Sequence, residues 1–109
     1  METRINTHRG NKMEFGEFLR FTRLKTDISL RQLALRIGVS ATYMSKIERG
    51  EFPPPSCRVI IALGRELNFN GELVSMKYGK IPDNIMFIIQ QHTADVLHAI
   101  QDIVEKNTE

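Results

Sequence analysis

Between Ser29 and Gly50 two short apolar stripes lie on either side of a single glycine, and this pattern narrows the choice of fold more than any other. Leu30, Leu33, Ala34 and Ile37 stand at i, i+3, i+4 and i+7, the spacing of one core-facing helical stripe. Ser29 precedes them as an N-cap that accepts from an early backbone N–H. Gly38 follows where the chain needs a left-handed residue. Val39 is then a buried turn residue and Ser40 caps a second short helix, from about Ala41 to Arg49. Met44 and Ile47 face inward on it. Thr42, Tyr43, Ser45, Lys46 and Arg49 face outward, and Gly50 stops it. Helices this short are marginal in isolation, so other elements must cover their apolar faces.

The rest of the chain supplies such elements. Phe15, Phe18, Leu19 and Leu24 keep a helical period from Met13 to Lys25. Pro53, Pro54 and Pro55 make the connector that begins at Phe52 rigid. Ser56 caps a fourth helix running to Leu67, with Val59, Ile60, Leu63 and Leu67 inward. Asn70 caps a fifth, Gly71 to Lys77, whose apolar residues are Leu73, Val74 and Met76. Tyr78 to Pro82 reads as a linker. Asp83 caps a long last helix to about Glu105, striped by Ile85, Ile88, Ile89, His92, Val96, Ala99, Ile100 and Ile103. The fold class is therefore all-α. The domains are an N-terminal arm (1–12), a five-helix unit (13–78) and a C-terminal helix (83–105).

Charge is unevenly shared. Residues 1–50 hold ten Lys or Arg against five Asp or Glu, a net of +5, and residues 51–109 hold five against eight, a net of −3. A basic first half suits a polyanionic partner, and Arg4, Arg9 and Lys12 make the first twelve residues a candidate basic arm. No apolar run approaches the ~20 residues of a membrane span, and the polar start has no secretory pattern, so a cytoplasmic location is expected. The single cysteine, Cys57, excludes an internal disulfide and a zinc cluster. His92 and His98 lie six residues apart, on different helix faces, with no third ligand group beside Asp95. Neither a glycine-rich phosphate loop nor a nucleophile motif occurs. No metal, cofactor or enzymatic activity is expected.

Two amphipathic helices around a tight turn, the second with a polar outer face, are what insertion of one helix into a DNA major groove requires. Residues 29–50, SLRQLALRIGVSATYMSKIERG, closely resemble the phage repressor/Cro-like family, also called the xenobiotic response element family. Ser45-Lys46-Ile47-Glu48-Arg49-Gly50 is its most characteristic part, followed by Pro55-Ser56 before an apolar helix. The resemblance spans about Phe15 to Met76 and implies a five-helix lambda-repressor-like domain that binds DNA. It places Ala41, Thr42 and Lys46 at base edges, and Ser40, Tyr43 and Ser45 at phosphates or flanking bases. Many members open the second helix with a phosphate-clamping Gln; Leu30 stands there in this chain, leaving Arg31 or Gln32 as substitutes. Arg36 and Arg49 are either solvated charges or phosphate contacts. Arg23 and Glu48 match an ion pair that ties the family's first helix to its third.

The last helix lies outside that resemblance. Its face through Ile85, Ile88, Ile89, Val96, Ile100 and Ile103 is too apolar to stand in water and must pack on its own domain or on a second chain, of which a homodimer is favoured. The expected function is a sequence-specific repressor that binds a double-stranded operator as a dimer. The alternative is an antitoxin or interaction adaptor that uses the same fold with a protein partner.

Overall fold

The computed structural model describes residues 13–107. The candidate basic arm, with Arg4, Arg9 and Lys12, lies outside them. The described residues form seven helices, α1 (Phe15–Thr26), α2 (Leu30–Ile37), α3 (Ala41–Glu48), α4 (Cys57–Leu67), α5 (Gly71–Lys77), α6 (Asp83–Gln91) and α7 (Thr93–Lys106). They divide into two compact units at residues 82 and 83.

Side chains one turn ahead fix where the helices of the first unit begin. Ser29, Ser40, Ser56 and Asn70 each accept a hydrogen bond from the backbone N–H three residues on, satisfying a donor the helix itself cannot. At α1 the Glu17 side chain accepts from the Glu14 N–H at 3.4 Å, the reciprocal half of a capping box. The ends are set by left-handed residues. Gly38, at φ 80°, lets the N–H of Val39 return to the carbonyl of Ala34 at 3.0 Å, and the chain reverses into α3 within three residues.

Phe15, Leu19, Leu33, Ala34, Met44, Ile47, Ile60, Leu63, Leu67 and Val74 make the core, with α1 to α5 each contributing. α1 can lie against α3 because residue 16 is glycine: a Cβ there would overlap the carbonyl oxygens of Ile47 and Glu48. Phe15 meets Tyr78 edge-on at 5.3 Å and Phe18 meets Phe69 at 5.0 Å. The Tyr78 hydroxyl donates to the Met13 carbonyl, pinning the end of the unit to its beginning. Tyr78 is thus part of the packing and not of a linker. Leu24, Leu73 and Met76 are exposed, and Val39, expected to be buried, is only half-buried.

The second unit corrects the single long C-terminal helix. α6 ends at Gln91 and α7 begins at Thr93, with His92 between them at φ −133° and ψ 45°. The Thr93 hydroxyl donates to the carbonyls of Ile89 and Gln90 at 3.1 and 3.2 Å. Such bonds back into the preceding turn bend helices. No described residue of α6 or α7 is buried.

Candidate nucleic-acid interface

α3 presents its residues on two sides. Met44 and Ile47 are buried in the core, whereas Thr42 and Arg49 stand in solvent. Ala41, Tyr43, Ser45 and Lys46 are half-buried. Ser40, exposed, is occupied as the cap: its Oγ accepts from the Tyr43 N–H at 3.0 Å. Small residues at the start of α3 leave room for close approach of its backbone, and the longer side chains follow one turn later.

Charges around α3 are arranged in pairs. Arg23 Nε donates to Glu48 Oε2 at 2.6 Å and Arg23 Nη2 to Oε1 at 3.1 Å, a two-pronged bond between side chains only 9% and 4% exposed. Arg23 also donates to the Ile28 carbonyl at 3.0 Å. This guanidinium thereby ties α1 to α3 and to the turn before α2, and it is covered from solvent. Arg49 donates to Glu51 at 2.8 Å and also bonds Ser45. The Arg49 guanidinium in turn holds the Glu51 carboxyl below the usual carboxylate range. On α2, Arg36 pairs with Glu66 of α4 at 3.2 Å, and Arg31 is exposed.

Gln32 has a local task. Its side-chain oxygen accepts from the Ser29 N–H at 3.3 Å while the Ser29 hydroxyl accepts from the Gln32 N–H, a complete capping box. The cap uses only the oxygen of Gln32, so its side-chain NH2 and the exposed Arg31 are both candidates to replace the clamp missing at Leu30. Leu30 packs against the core. It also lines a cleft of about 370 Å³ with Arg20, Arg23, Ser45, Glu48 and Arg49. Arg20, absent from the sequence-based candidates, reaches to 3.8 Å from Glu48 with a largely exposed side chain.

Phe52 is the other residue that sequence reasoning missed. The sequence assigns it only to a proline-stiffened connector. In the structure its ring lies 5.8 Å from that of Tyr43, and the Lys46 ammonium sits over it at 5.4 Å. An aromatic residue two positions after the helix-stopping Gly50 is the signal that was there to be used.

The α1–α5 geometry with this face on α3 is that of a DNA-binding helix-turn-helix. Residues 14–75 match the family model described as a helix-turn-helix domain, and the chain belongs to that family, in its repressor/Cro-like branch of transcriptional regulators. Among relatives, an uncharacterised HTH-type transcriptional regulator of Mycobacterium tuberculosis, Rv0474, is 38% identical over 64 residues, 59% of this chain and 45% of that protein. The HTH-type transcriptional regulator SlrR of Bacillus subtilis is 39% identical over 70 residues, 61% of this chain and 46% of that one. The chain thus spans a little under half the length of these curated relatives. A solved SinR protein/SinI protein complex has a chain of similar fold, with a TM-score of 0.50 and 20% identity over 81% of this chain and 91% of that one. No helix among the described residues is long and apolar enough to cross a membrane.

Proposed function

We propose that this protein is a cytoplasmic, non-enzymatic repressor that binds its operator as a homodimer and reads bases in the major groove with α3. The observation that carries the reading is the division of α3 itself. One side is locked into the core by Met44, Ile47 and the Arg23–Glu48 pair, and the other offers Thr42, Lys46 and flanking polar groups to solvent. A groove about 12 Å wide admits one such helix. Thr42 and Lys46, with the backbone at Ala41, face the bases. Ser40, Tyr43, Ser45, Arg31 and Arg49 face phosphates, which set position and salt dependence and not sequence.

Dimerisation is assigned to α6 and α7. Ile88, Ile100 and Ile103 are 51%, 50% and 52% exposed, and Ile85, Ile89 and Val96 are only half-buried. A second copy covering this stripe would supply two α3 helices, one for each half-site of an operator, and the half-sites read by such dimers lie roughly 34 Å apart, one turn of DNA. The same exposed stripe favours a second reading, in which a different protein covers it and the chain acts as an antitoxin or adaptor.

Selection of a randomised duplex library on the purified full chain tests the first reading. Enrichment of an inverted repeat with half-sites about 10 base pairs apart is expected. Recovery of unpatterned sequences would refute sequence-specific operator binding.

A further inference from the structure

We infer that Phe52 is a positioning residue for Lys46, fixing through the face of its ring where the ammonium meets the bases; this rests on the reading that Lys46 contacts base edges. The backbone brings the two together. Gly50, at φ 77°, turns the chain at the end of α3, and the N–H groups of Glu51 and Phe52 both point to the Lys46 carbonyl, at 2.9 and 3.4 Å. Phe52 therefore returns alongside the residue six positions before it. Its ring is then held from one side by Tyr43 at 5.8 Å and lies under the Lys46 Nζ at 5.4 Å.

Phe52 is 41% exposed, too open to be explained as core, and it is not among the residues packed against the core. The physical consequence concerns the lysine. A lysine on a helix surface has four rotatable bonds and an ammonium that samples many positions, and ordering it on binding costs entropy. An aromatic face attracts the cation without neutralising it, unlike the carboxylate of Glu51 beside Arg49. The ring thus limits where the ammonium goes while leaving its charge and its N–H donors for a base edge. Tyr43 does the same for the ring, so the order of support runs from Tyr43 to Phe52 to Lys46.

The test uses the full chain and a duplex enriched from the random library, against the same duplex with single base changes. Phe52→Leu keeps an apolar side chain against Tyr43 but removes the aromatic face; Phe52→Trp keeps and strengthens that face. Phe52→Leu should lower discrimination at the base pair read by Lys46 by about 2- to 5-fold, the range for an exposed cation–aromatic contact. Discrimination elsewhere should not change, and Phe52→Trp should match the native chain. In a Lys46→Ala background Phe52→Leu should have no further effect. In the free chain, ring-current displacement of the Lys46 Hε resonances should vanish in Phe52→Leu, a readout independent of DNA. Equal discrimination by native and Phe52→Leu chains, or an undiminished effect of Phe52→Leu without Lys46, would overturn the inference. Lys46→Ala that leaves discrimination intact would overturn the base-reading assignment itself, and the inference with it, even if the ring-current displacement is present.

Discussion

Glu48 receives both prongs of Arg23 in a place almost closed to water, and the balance of forces there is asymmetric. Removing one partner leaves a buried charge, whereas removing both leaves apolar surface. Glu48→Ala should therefore lose about 3–5 kcal/mol of unfolding free energy in urea titrations, and Arg23→Met with Glu48→Leu should lose much less. Equal losses would show that the cost is that of the lost pair and not of a charge left buried without its partner. Ser75 offers the opposite case. Its hydroxyl is fully buried and has no hydrogen-bond partner among the described residues. Ser75→Ala should raise stability by about 1 kcal/mol, read from the same titrations, because an unmet donor is costly to bury. At this scale the sequence shows which residue types lie on the outer face of α3, since helical period sorts inward from outward. It does not show how their polar atoms are used. Gln32 looks uncommitted in sequence, yet its side-chain oxygen is taken up at the cap of α2. Phe52 looks like connector, yet it touches two candidate DNA contacts. Such partnerships depend on where a turn brings two side chains, which periodicity does not encode.

Helix boundaries in the first unit were legible because caps are local chemistry. Ser29, Ser40, Ser56 and Asn70 all cap as their position before an apolar stripe implies. The break between α6 and α7 was not legible, because the apolar spacing continues across it and the bonds of the Thr93 hydroxyl to the carbonyls of Ile89 and Gln90 leave no mark in that spacing. Leu24, Leu73 and Met76 are apolar yet exposed, which residue type and helical period by themselves do not reveal. Helix ends give a prediction of their own. α1 ends on Asp27, at φ 61°, where a side chain costs roughly 1–2 kcal/mol relative to the right-handed region. Asp27→Gly should thus raise the thermal midpoint, corresponding to about 0.5–1 kcal/mol after the greater freedom of glycine in the unfolded chain is allowed for. An unchanged or lowered midpoint would show that the aspartate stabilises the turn by other means.

The whole molecule combines a unit with a complete core and a unit without one. Ten buried apolar side chains make the core of residues 13–82, and no residue from 83 to 107 is buried. Replacing Ile100 and Ile103 by Asp should convert a dimer to a monomer in light scattering while the far-ultraviolet helix signal of the first unit is kept. A dimer that survives would move the interface elsewhere. The central claim is that α3 reads bases, and it is tested most directly by fluorescence anisotropy on the enriched duplex and a scrambled one, across a salt series, for the native chain and Lys46→Ala. The native chain should bind the enriched duplex roughly 10³-fold or more tightly than the scrambled one, with affinity falling steeply as salt rises. Lys46→Ala should give up about 1–3 kcal/mol of that preference. Equal binding to both duplexes by the native chain, or a preference unmoved by loss of Lys46, would contradict base reading by α3.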